Sequence, residues 1–304
     1  MLSISRTGGI LGAFLLGLVN LGTAKADEKA PADDKKVQLG MPNSLFQGVP
    51  DYLKQAGAAP FLKMMKAQTG IDGNINFVAD SMTLATQLND GKIHLGVFQG
   101  HEFAWAKEKF SDLIPIAITV PINPNQSFCV VSWDCKAKNI GELKTGKISL
   151  PPIHRDYCEL FLASQKEEHM KGATFAGQLK AGQAVEAIDD VIAGKACCAV
   201  VDCATLKFFE NVFPGQFQNI KVLCKSEVFP NACIAVRKGQ LDDKTIANFK
   251  KALTNAPNDP TGRFLLTNWK LKGFNNVPDD YDLQLKKFLK AYPTPPTLRV
   301  SVDR

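Results

Sequence analysis

Short apolar strands alternate with helical segments along most of this chain, and that alternation constrains the fold more than any other feature. In the first part, strands are predicted at 37–41, 75–79, 95–98 and 114–120, and helices at 52–68, 82–88 and 102–109. Strands that alternate with helices favour a mostly parallel sheet with helices on both faces. The first part of the chain therefore predicts an α/β unit.

The same alternation resumes after residues 121–125 (PINPN), which interrupt the pattern and predict a linker. Further strands are predicted at 128–133, 148–150, 174–176, 197–201 and 222–225, and further helices at 156–166, 183–193 and 204–210. A second break at Pro230 precedes a strand at 233–237, and residues 242–289 are predicted to be helical with one Pro-rich interruption at 257–260. The second part is therefore another α/β unit, followed by a return strand.

Two breaks that join the same two units predict two lobes connected by paired segments. Residues 37–122 together with 230–292 would form lobe 1, residues 123–229 would form lobe 2, and residues 293–304 would form a tail. Open α/β sheets bind ligands beyond the carboxyl ends of their strands, close to helix N-termini. We therefore expect an α/β fold with two hinge crossovers and a ligand cleft between the lobes.

Residues 1–26 have the layout of a secretory signal peptide. Arg6 precedes an apolar stretch at 8–22 that is short for a membrane span, and Ala24-Lys25-Ala26 is a small-x-small cleavage pattern. An uncleaved N-terminal anchor is the alternative. Residues 27–36 (DEKAPADDKK) are charged and predict a disordered leader. We therefore expect a soluble protein in the periplasm or another extracytoplasmic compartment.

All eight cysteines lie between Cys129 and Cys233. In an exported chain an even number of cysteines favours disulfides, although buried free thiols also fit. Metal binding by cysteine is disfavoured because no Cys-x-x-Cys pair occurs. In addition, Cys197 and Cys198 are adjacent on a predicted strand, where neighbours point to opposite faces. Disulfides are therefore the expectation.

The charge balance excludes some classes of partner. The formal net charge is +6, and the lysines are scattered rather than clustered. No basic tract is dense enough to indicate nucleic acid or a membrane surface as a partner. The small excess of positive charge favours anionic ligands only slightly.

Four segments together resemble one known family. They are 88–98 (LNDGKIHLGVF), 140–149 (IGELKTGKIS), 184–202 (AVEAIDDVIAGKACCAVVD) and 229–237 (FPNACIAVR). In this order and spacing they are similar to the periplasmic phosphate/phosphite/phosphonate-binding family, the substrate-binding components of ABC transporters. The resemblance spans about residues 37–292. It implies the type II periplasmic-binding-protein fold, a small anionic ligand and a membrane permease as partner.

One part of the family pattern is replaced in this chain. Where the family has a Ser/Thr/Gly-rich loop that binds the oxyanion, residues 150–157 read LPPIHRDY and contain no Ser or Thr. Arg155 is the predicted anion contact there, because a guanidinium can bind an oxyanion bidentately. His154 and Tyr157 are predicted to lie beside the ligand, and a surface pairing of Arg155 with Asp156 is the alternative.

The other candidate residues follow predicted strands or come from the resemblance. Ser81 and Thr83 begin a helix whose N-terminus favours anions, and Gln99 and His101 follow the next strand. For all of these, helix capping or a solvated loop is the alternative interpretation. The complete predicted ligand-binding set is Ser81, Thr83, Gln99, His101, His154, Arg155, Tyr157, Gln183 and Asp202.

No motif in the sequence indicates catalysis. There is no G-x-S-x-G, P-loop or H-E-x-x-H pattern, and His101 with Glu102 offers too few ligands to predict a metal site. No cofactor and no metal are therefore expected. The sequence predicts a monomeric, exported, non-enzymatic receptor for a small solute. An exported enzyme or redox protein on the same fold, or a sensory ligand-binding module, are the alternatives.

Overall fold

A computed structural model describes residues 36–47, 49–151 and 155–295 of the chain. The predicted signal peptide, the leader apart from Lys36, and the tail beyond residue 295 lie outside the described residues. Within them, no helix is both apolar enough and long enough to span a bilayer.

The described residues form strands and helices that alternate as the sequence predicts. The strands are β1 (Val37–Pro42), β2 (Gly73–Val78), β3 (Leu95–Phe98), β4 (Leu113–Pro121), β5 (Ser127–Ser132), β6 (Lys147–Leu150), β7 (Gly177–Lys180), β8 (Cys198–Asp202), β9 (Ile220–Lys225), β10 (Cys233–Arg237) and β11 (Leu271–Asn275). The helices are α1 (Asp51–Thr69), α2 (Ser81–Asn89), α3 (Gly100–Lys109), α4 (Asp156–Met170), α5 (Ala184–Ile192), α6 (Cys203–Val212), α7 (Pro214–Phe217), α8 (Asp243–Asn255), α9 (Pro260–Asn268) and α10 (Tyr281–Ala291). Short 3₁₀ turns lie at Asn43–Phe46, Ile140–Leu143 and Ala256–Asn258.

The strands assemble into two sheets. The first has the order β11-β4-β10-β3-β1-β2, and the second has the order β7-β6-β8-β5-β9. We call the first sheet with α1–α3 and α8–α10 lobe 1, and the second sheet with α4–α7 lobe 2. The chain passes from lobe 1 to lobe 2 between β4 and β5, and it returns between β9 and β10. The predicted α/β fold with two lobes and two crossovers is confirmed.

The strand directions differ from a mostly parallel sheet. β1 pairs in parallel with β2 and β3, and β6 pairs in parallel with β7 and β8. In contrast, β10 runs antiparallel to β3 and β4, and β5 runs antiparallel to β8 and β9. β5 and β10 each enter a sheet directly from the other lobe, with no helix to reverse the chain. Both sheets are therefore mixed.

Two strands lie where the sequence did not place them. The strand expected at 174–176 is instead Gly177–Lys180, and β11 lies inside the segment expected to be helical. β11 (LKGFN) has little apolar periodicity of its own. It is the edge strand of the first sheet and pairs antiparallel with β4. Hydrogen bonds to a strand distant in sequence therefore decide its conformation.

The apolar core of the two lobes is continuous at the second crossover. Phe229 is buried there, and its ring centroid lies 5.4 Å from that of Tyr157 in lobe 2 and 5.7 Å from that of Phe288 in lobe 1. Tyr292 packs on the same ring at 5.0 Å. Offset aromatic pairs at these distances are favourable beyond the area that they bury. This aromatic junction fixes the start of α4 close to α3 and α10.

The cysteines form no disulfide, contrary to the expectation: all eight are free thiols. Five of them are buried, where a thiol packs as a small apolar side chain. Cys197 precedes β8, and its Sγ lies 4.0 Å from that of Cys198, so the two sulfurs do not point to opposite faces. Of the two interpretations that the sequence left open for the thiols, the structure contains the free form.

Gly100 lies at the start of α3, against the second crossover. A Cβ built on it would lie 2.0 Å from the carbonyl oxygen of Pro230, whereas a Cβ on Gly57 within α1 meets nothing. We expect Gly100→Ala to destabilise the protein by about 1–3 kcal/mol, because backbone atoms would have to move. As a control, Gly57→Ala should stabilise it by about 0.5–1 kcal/mol through helix propensity. Urea unfolding midpoints measure both, and an unchanged midpoint for Gly100→Ala would contradict the close packing.

Candidate functional site

A cavity of about 400 Å³ lies between the two lobes. Its wall in lobe 1 consists of residues that follow the carboxyl ends of β1, β2 and β3, and its wall in lobe 2 lies on α4. The lining residues are Ser44, Ala79, Asp80, Ser81, His101, Glu102 and Trp105 from lobe 1, and Asp156, Glu159, Leu160 and Ala163 from lobe 2. A ligand in this cavity would therefore touch both lobes.

Three helices begin at this cavity. α2 starts at Ser81, α3 at Gly100 and α4 at Asp156, and the first turn of each contributes lining residues. The N-terminus of a helix carries partial positive charge and unpaired backbone N–H groups, which attract anions. The convergence of three such ends gives the cavity the backbone geometry of an anion site.

Side-chain carboxylates already cap two of these helices. Asp80 accepts a hydrogen bond from the backbone N–H of Thr83 at 2.8 Å, and Glu102 accepts one from the backbone N–H of Gln99 at 3.1 Å. Ser44 Oγ donates to the other oxygen of Glu102 at 2.6 Å. The protein's own acidic groups thus satisfy part of the positive potential at these helix ends.

Glu102 is a buried carboxyl group. Burial raises its pKa to about 7, although the hydrogen bonds from Ser44 and Gln99 oppose this rise and the nearby Asp156 adds to it. Near neutral pH the group is therefore divided between its protonated and ionised forms.

His101 lies in an aromatic surrounding. It is only 3% exposed, and its ring meets Trp105 edge-on with the centroids 5.3 Å apart; Phe229 and Phe288 lie 6.4 and 6.3 Å away. Burial lowers its pKa to about 3, so the imidazole is neutral near pH 7. Its ring makes no hydrogen bond to any other residue that the structure describes. A neutral imidazole of this kind carries an available lone pair.

The wall of lobe 2 is one face of α4. Asp156, Glu159, Leu160 and Ala163 have the spacing i, i+3, i+4 and i+7, which places them on the same side of a helix. Gln47, from the loop after β1, donates a hydrogen bond to Asp156 and so links lobe 1 to α4. Among the described lining residues there is no Lys or Arg, so the side chains make the cavity acidic.

One group of residues has the composition of a metal site. His101, Glu102 and Asp156 each offer a ligand atom, and these atoms lie within 4.8 Å of one another. Two of the residues belong to lobe 1 and one to lobe 2.

Of the ligand-binding residues predicted for lobe 1, two line the cavity and two do not. Ser81 and His101 line the cavity, whereas Thr83 and Gln99 do not. Thr83 Oγ1 donates to Asp80 at 3.1 Å, and Gln99 forms a reciprocal capping box with Glu102. Both side chains are thus engaged in helix caps, which was the alternative interpretation.

Three predicted residues of lobe 2, Arg155, Tyr157 and Asp202, lie close to one another but are not among the residues that line the cavity. Arg155 Nε lies 3.9 Å from Asp202 Oδ2, and Asp202 also caps α6 by accepting from the N–H of Thr205 at 2.7 Å. Tyr157 is buried, and its burial raises the pKa of its phenol. The Arg155 side chain is 54% exposed, so it remains accessible to an anion.

The remaining two predicted residues lie elsewhere. Gln183 is exposed and caps α5 in a capping box with Glu186. His154 lies outside the described residues.

Sequence reasoning missed the wall on α4 and the capping role of Glu102. The spacing of 156, 159, 160 and 163 was present in the sequence, but it did not show which side of α4 faces the other lobe. Glu102 was noticed only as the neighbour of His101. Its contact with Ser44 joins residues 58 positions apart, which only the fold brings together.

Residues 49–281 match the family described as the periplasmic substrate-binding protein of the phosphonate ABC transporter. The chain belongs to this family. Members of the family are substrate-binding components of transporters, in agreement with the resemblance in the four sequence segments. None of the curated proteins compared with the chain matches it significantly.

Solved structures share the fold. A Xanthomonas citri protein bound to ATP has a TM-score of 0.60 at 15% identity, with 89% of this chain and 100% of that chain covered. PhnD1 from Prochlorococcus marinus, in complex with methylphosphonate, has a TM-score of 0.57 at 13% identity, with 84% and 97% covered. A binding-protein component of an ABC phosphonate transporter from Pseudomonas aeruginosa has a TM-score of 0.54 at 16% identity, with 84% and 86% covered. The fold is that of the type II periplasmic binding proteins.

The bond between Ser44 and buried Glu102 can be tested for its contribution to stability. Ser44→Ala leaves a buried carboxyl oxygen without this donor, so we expect a loss of about 1–3 kcal/mol in the free energy of unfolding. The matched control is Ser132→Ala, because Ser132 donates to the exposed carboxylate of Asp134 over the same 2.6 Å. That substitution should change the stability by no more than about 0.5 kcal/mol. Equal effects in urea titrations would show that burial of Glu102 does not strengthen the interaction.

Proposed function

We propose that this protein is the extracytoplasmic receptor of an ABC-type importer. It closes its two lobes on a small phosphonate- or phosphate-like solute and presents the closed form to a membrane permease. Membership of the family supports the role as a transporter component. The proposal includes export by residues 1–26 as a cleaved signal peptide.

The observation that carries the proposal is the cavity whose walls come from both lobes. A solute that touches Ser81 and His101 on lobe 1 and α4 on lobe 2 makes more contacts when the lobes are closed. Such a difference in affinity shifts the equilibrium towards the closed form, which a partner can recognise. The two crossovers, between β4 and β5 and between β9 and β10, are the segments that would act as the hinge.

The class of solute follows from the family and from the three helix N-termini. Backbone N–H groups at these ends can donate to a phosphonate oxygen. Arg155 is the side chain proposed to grip the oxyanion, because its planar guanidinium matches two oxygens at once. Its Nε lies 3.9 Å from Asp202, and the guanidinium keeps further N–H groups for the oxygens of a ligand.

The other predicted residues either contact the solute, position Arg155 or stabilise helices through their caps. Ser81 contacts the solute from lobe 1, and Asp202 holds Arg155 in position from lobe 2. Thr83, Gln99 and Gln183 act through the helix caps in which they are engaged.

Calorimetry with methylphosphonate and with inorganic phosphate tests the proposed ligand class. We expect one ligand per chain, a raised melting temperature, and a smaller radius of gyration in X-ray scattering as the lobes close. The ligand should be recovered chemically unchanged, whereas turnover would favour the enzyme alternative. Absence of binding by every phosphonate and phosphate tried would contradict the proposal.

The residues of the proposed site are tested by a double substitution. Arg155→Ala with Asp202→Ala should weaken binding of methylphosphonate at least tenfold, a loss of about 1.4 kcal/mol or more, without unfolding the protein. The control is Arg263→Ala on α9, an arginine whose side chain donates to the backbone oxygens of Pro257 and Asn258 and which lies outside the cavity wall. Unchanged affinity in the double variant would remove Arg155 and Asp202 from the site.

A further inference from the structure

We propose that His101, Glu102 and Asp156 bind a divalent transition-metal ion in the cavity between the lobes. This inference rests on the proposed function in taking the cavity as the solute cleft. It goes further in assigning a cation to the acidic wall.

The acidic wall needs a positive partner. Asp80, Glu102, Asp156 and Glu159 all line the cavity, and no Lys or Arg is found among the lining residues that the structure describes. A bare oxyanion in this cavity would be repelled by the carboxylates. An ion bound between the lobes would neutralise them and would leave positive charge facing the solute.

His101 identifies the kind of cation. Its imidazole is 97% buried, it lines the cavity, and it has no hydrogen-bond partner among the described residues. Since the ring lines the cavity, its acceptor nitrogen is open to a ligand there. One imidazole with two carboxylates is a ligand set that suits transition-metal dications such as Zn²⁺, Co²⁺ or Mn²⁺ better than Mg²⁺ or Ca²⁺, which prefer oxygen ligands alone.

The spacing of the ligand atoms fits an ion after a small closing movement. The three atoms lie within 4.8 Å of one another. Metal–ligand bonds of about 2.0–2.2 Å place neighbouring ligand atoms roughly 3–4 Å apart, so a movement of at most about 1–2 Å would bring the three atoms to bonding distance. Asp156 lies on lobe 2 and the other two ligands lie on lobe 1, so closure of the lobes would supply that movement.

Side chains from one short loop hold both carboxylates in place. Ser44 donates to Glu102 at 2.6 Å, and Gln47 donates to Asp156. Each carboxylate oxygen that accepts one such bond retains a lone pair for a metal. Hydrogen bonds of this kind orient the ligands of metal sites in proteins.

Cobalt titration of the full chain, freed of metal with a chelator, tests the proposal. Co²⁺ bound by nitrogen and oxygen lacks the intense near-ultraviolet absorption of a cobalt–thiolate bond, which distinguishes this site from the eight cysteines. We expect one Co²⁺ per chain, no thiolate band, and much weaker binding of Mg²⁺. Binding to thiolates alone, or no binding of Co²⁺, Zn²⁺ or Mn²⁺, would overturn the site.

Substitutions assign the ligands. Asp156→Asn and His101→Phe should each weaken Co²⁺ binding at least tenfold; the first keeps the shape of the side chain and the second keeps the aromatic packing. Asp90→Asn and His169→Phe are the matched controls, because both residues lie outside the cavity wall, and they should leave Co²⁺ binding unchanged. If His101→Phe does not fold, Asp156→Asn decides the result alone. Equal Co²⁺ affinity in wild type and Asp156→Asn would overturn the proposal.

A phosphonate titration separates this inference from the proposed function. If metal-free protein binds methylphosphonate but no metal, the receptor function stands and the metal site fails. If it binds 2-aminoethylphosphonate tightly, binds no Co²⁺, and loses the phosphonate in Asp156→Asn, then the ligand's amine occupies the acidic wall and the metal site is excluded. If Co²⁺ binds but no phosphonate or phosphate does, the metal site stands and the proposed solute fails.

Discussion

The packing of Phe229 at the second crossover determines where the two lobes meet. Its ring contacts Tyr157 of lobe 2 and Phe288 and Tyr292 of lobe 1, and it lies beside His101. Dense aromatic packing of this kind tolerates little displacement. The first turns of α3 and α4 are therefore held on opposite sides of one cavity, and every property of the candidate site depends on that arrangement.

The side chains and the backbone of the cavity favour ligands of opposite charge. Three helix N-termini favour an anion, as expected for a family of phosphonate receptors, yet acidic side chains occupy the same helix ends. Asp80 and Glu102 serve as caps, so part of their charge is balanced by backbone N–H groups. Asp156 and Glu159 lie in the first turn of α4, where the helix dipole favours acidic side chains, and both line the cavity. A cation beside the solute would balance the acidic side chains and leave the helix N-termini to bind the anion.

Much of the fold could be predicted because its signals are local. The positions of β1, α1, β3 and β10 were predicted within one or two residues, since each is marked by its own short apolar run or helical spacing of apolar residues. β11 could not be predicted, because its ladder with the edge of β4 comes from a segment about 150 residues earlier. The prediction of disulfides was wrong for a related reason. An even number of cysteines says nothing about which thiols the packing buries.

The sequence by itself determined the α/β class, the two crossovers, the family and the positions where helices begin after strands. It also identified His101 and Arg155 as polar groups at those positions. Only the tertiary structure decided which of these groups face a common cavity. The side of α4 that faces lobe 1, and the approach of Ser44 to Glu102, result from packing between distant segments. The spacing of residues in the sequence predicts which of them share one face of a helix. Which other part of the protein lies opposite that face is decided by contacts between the lobes.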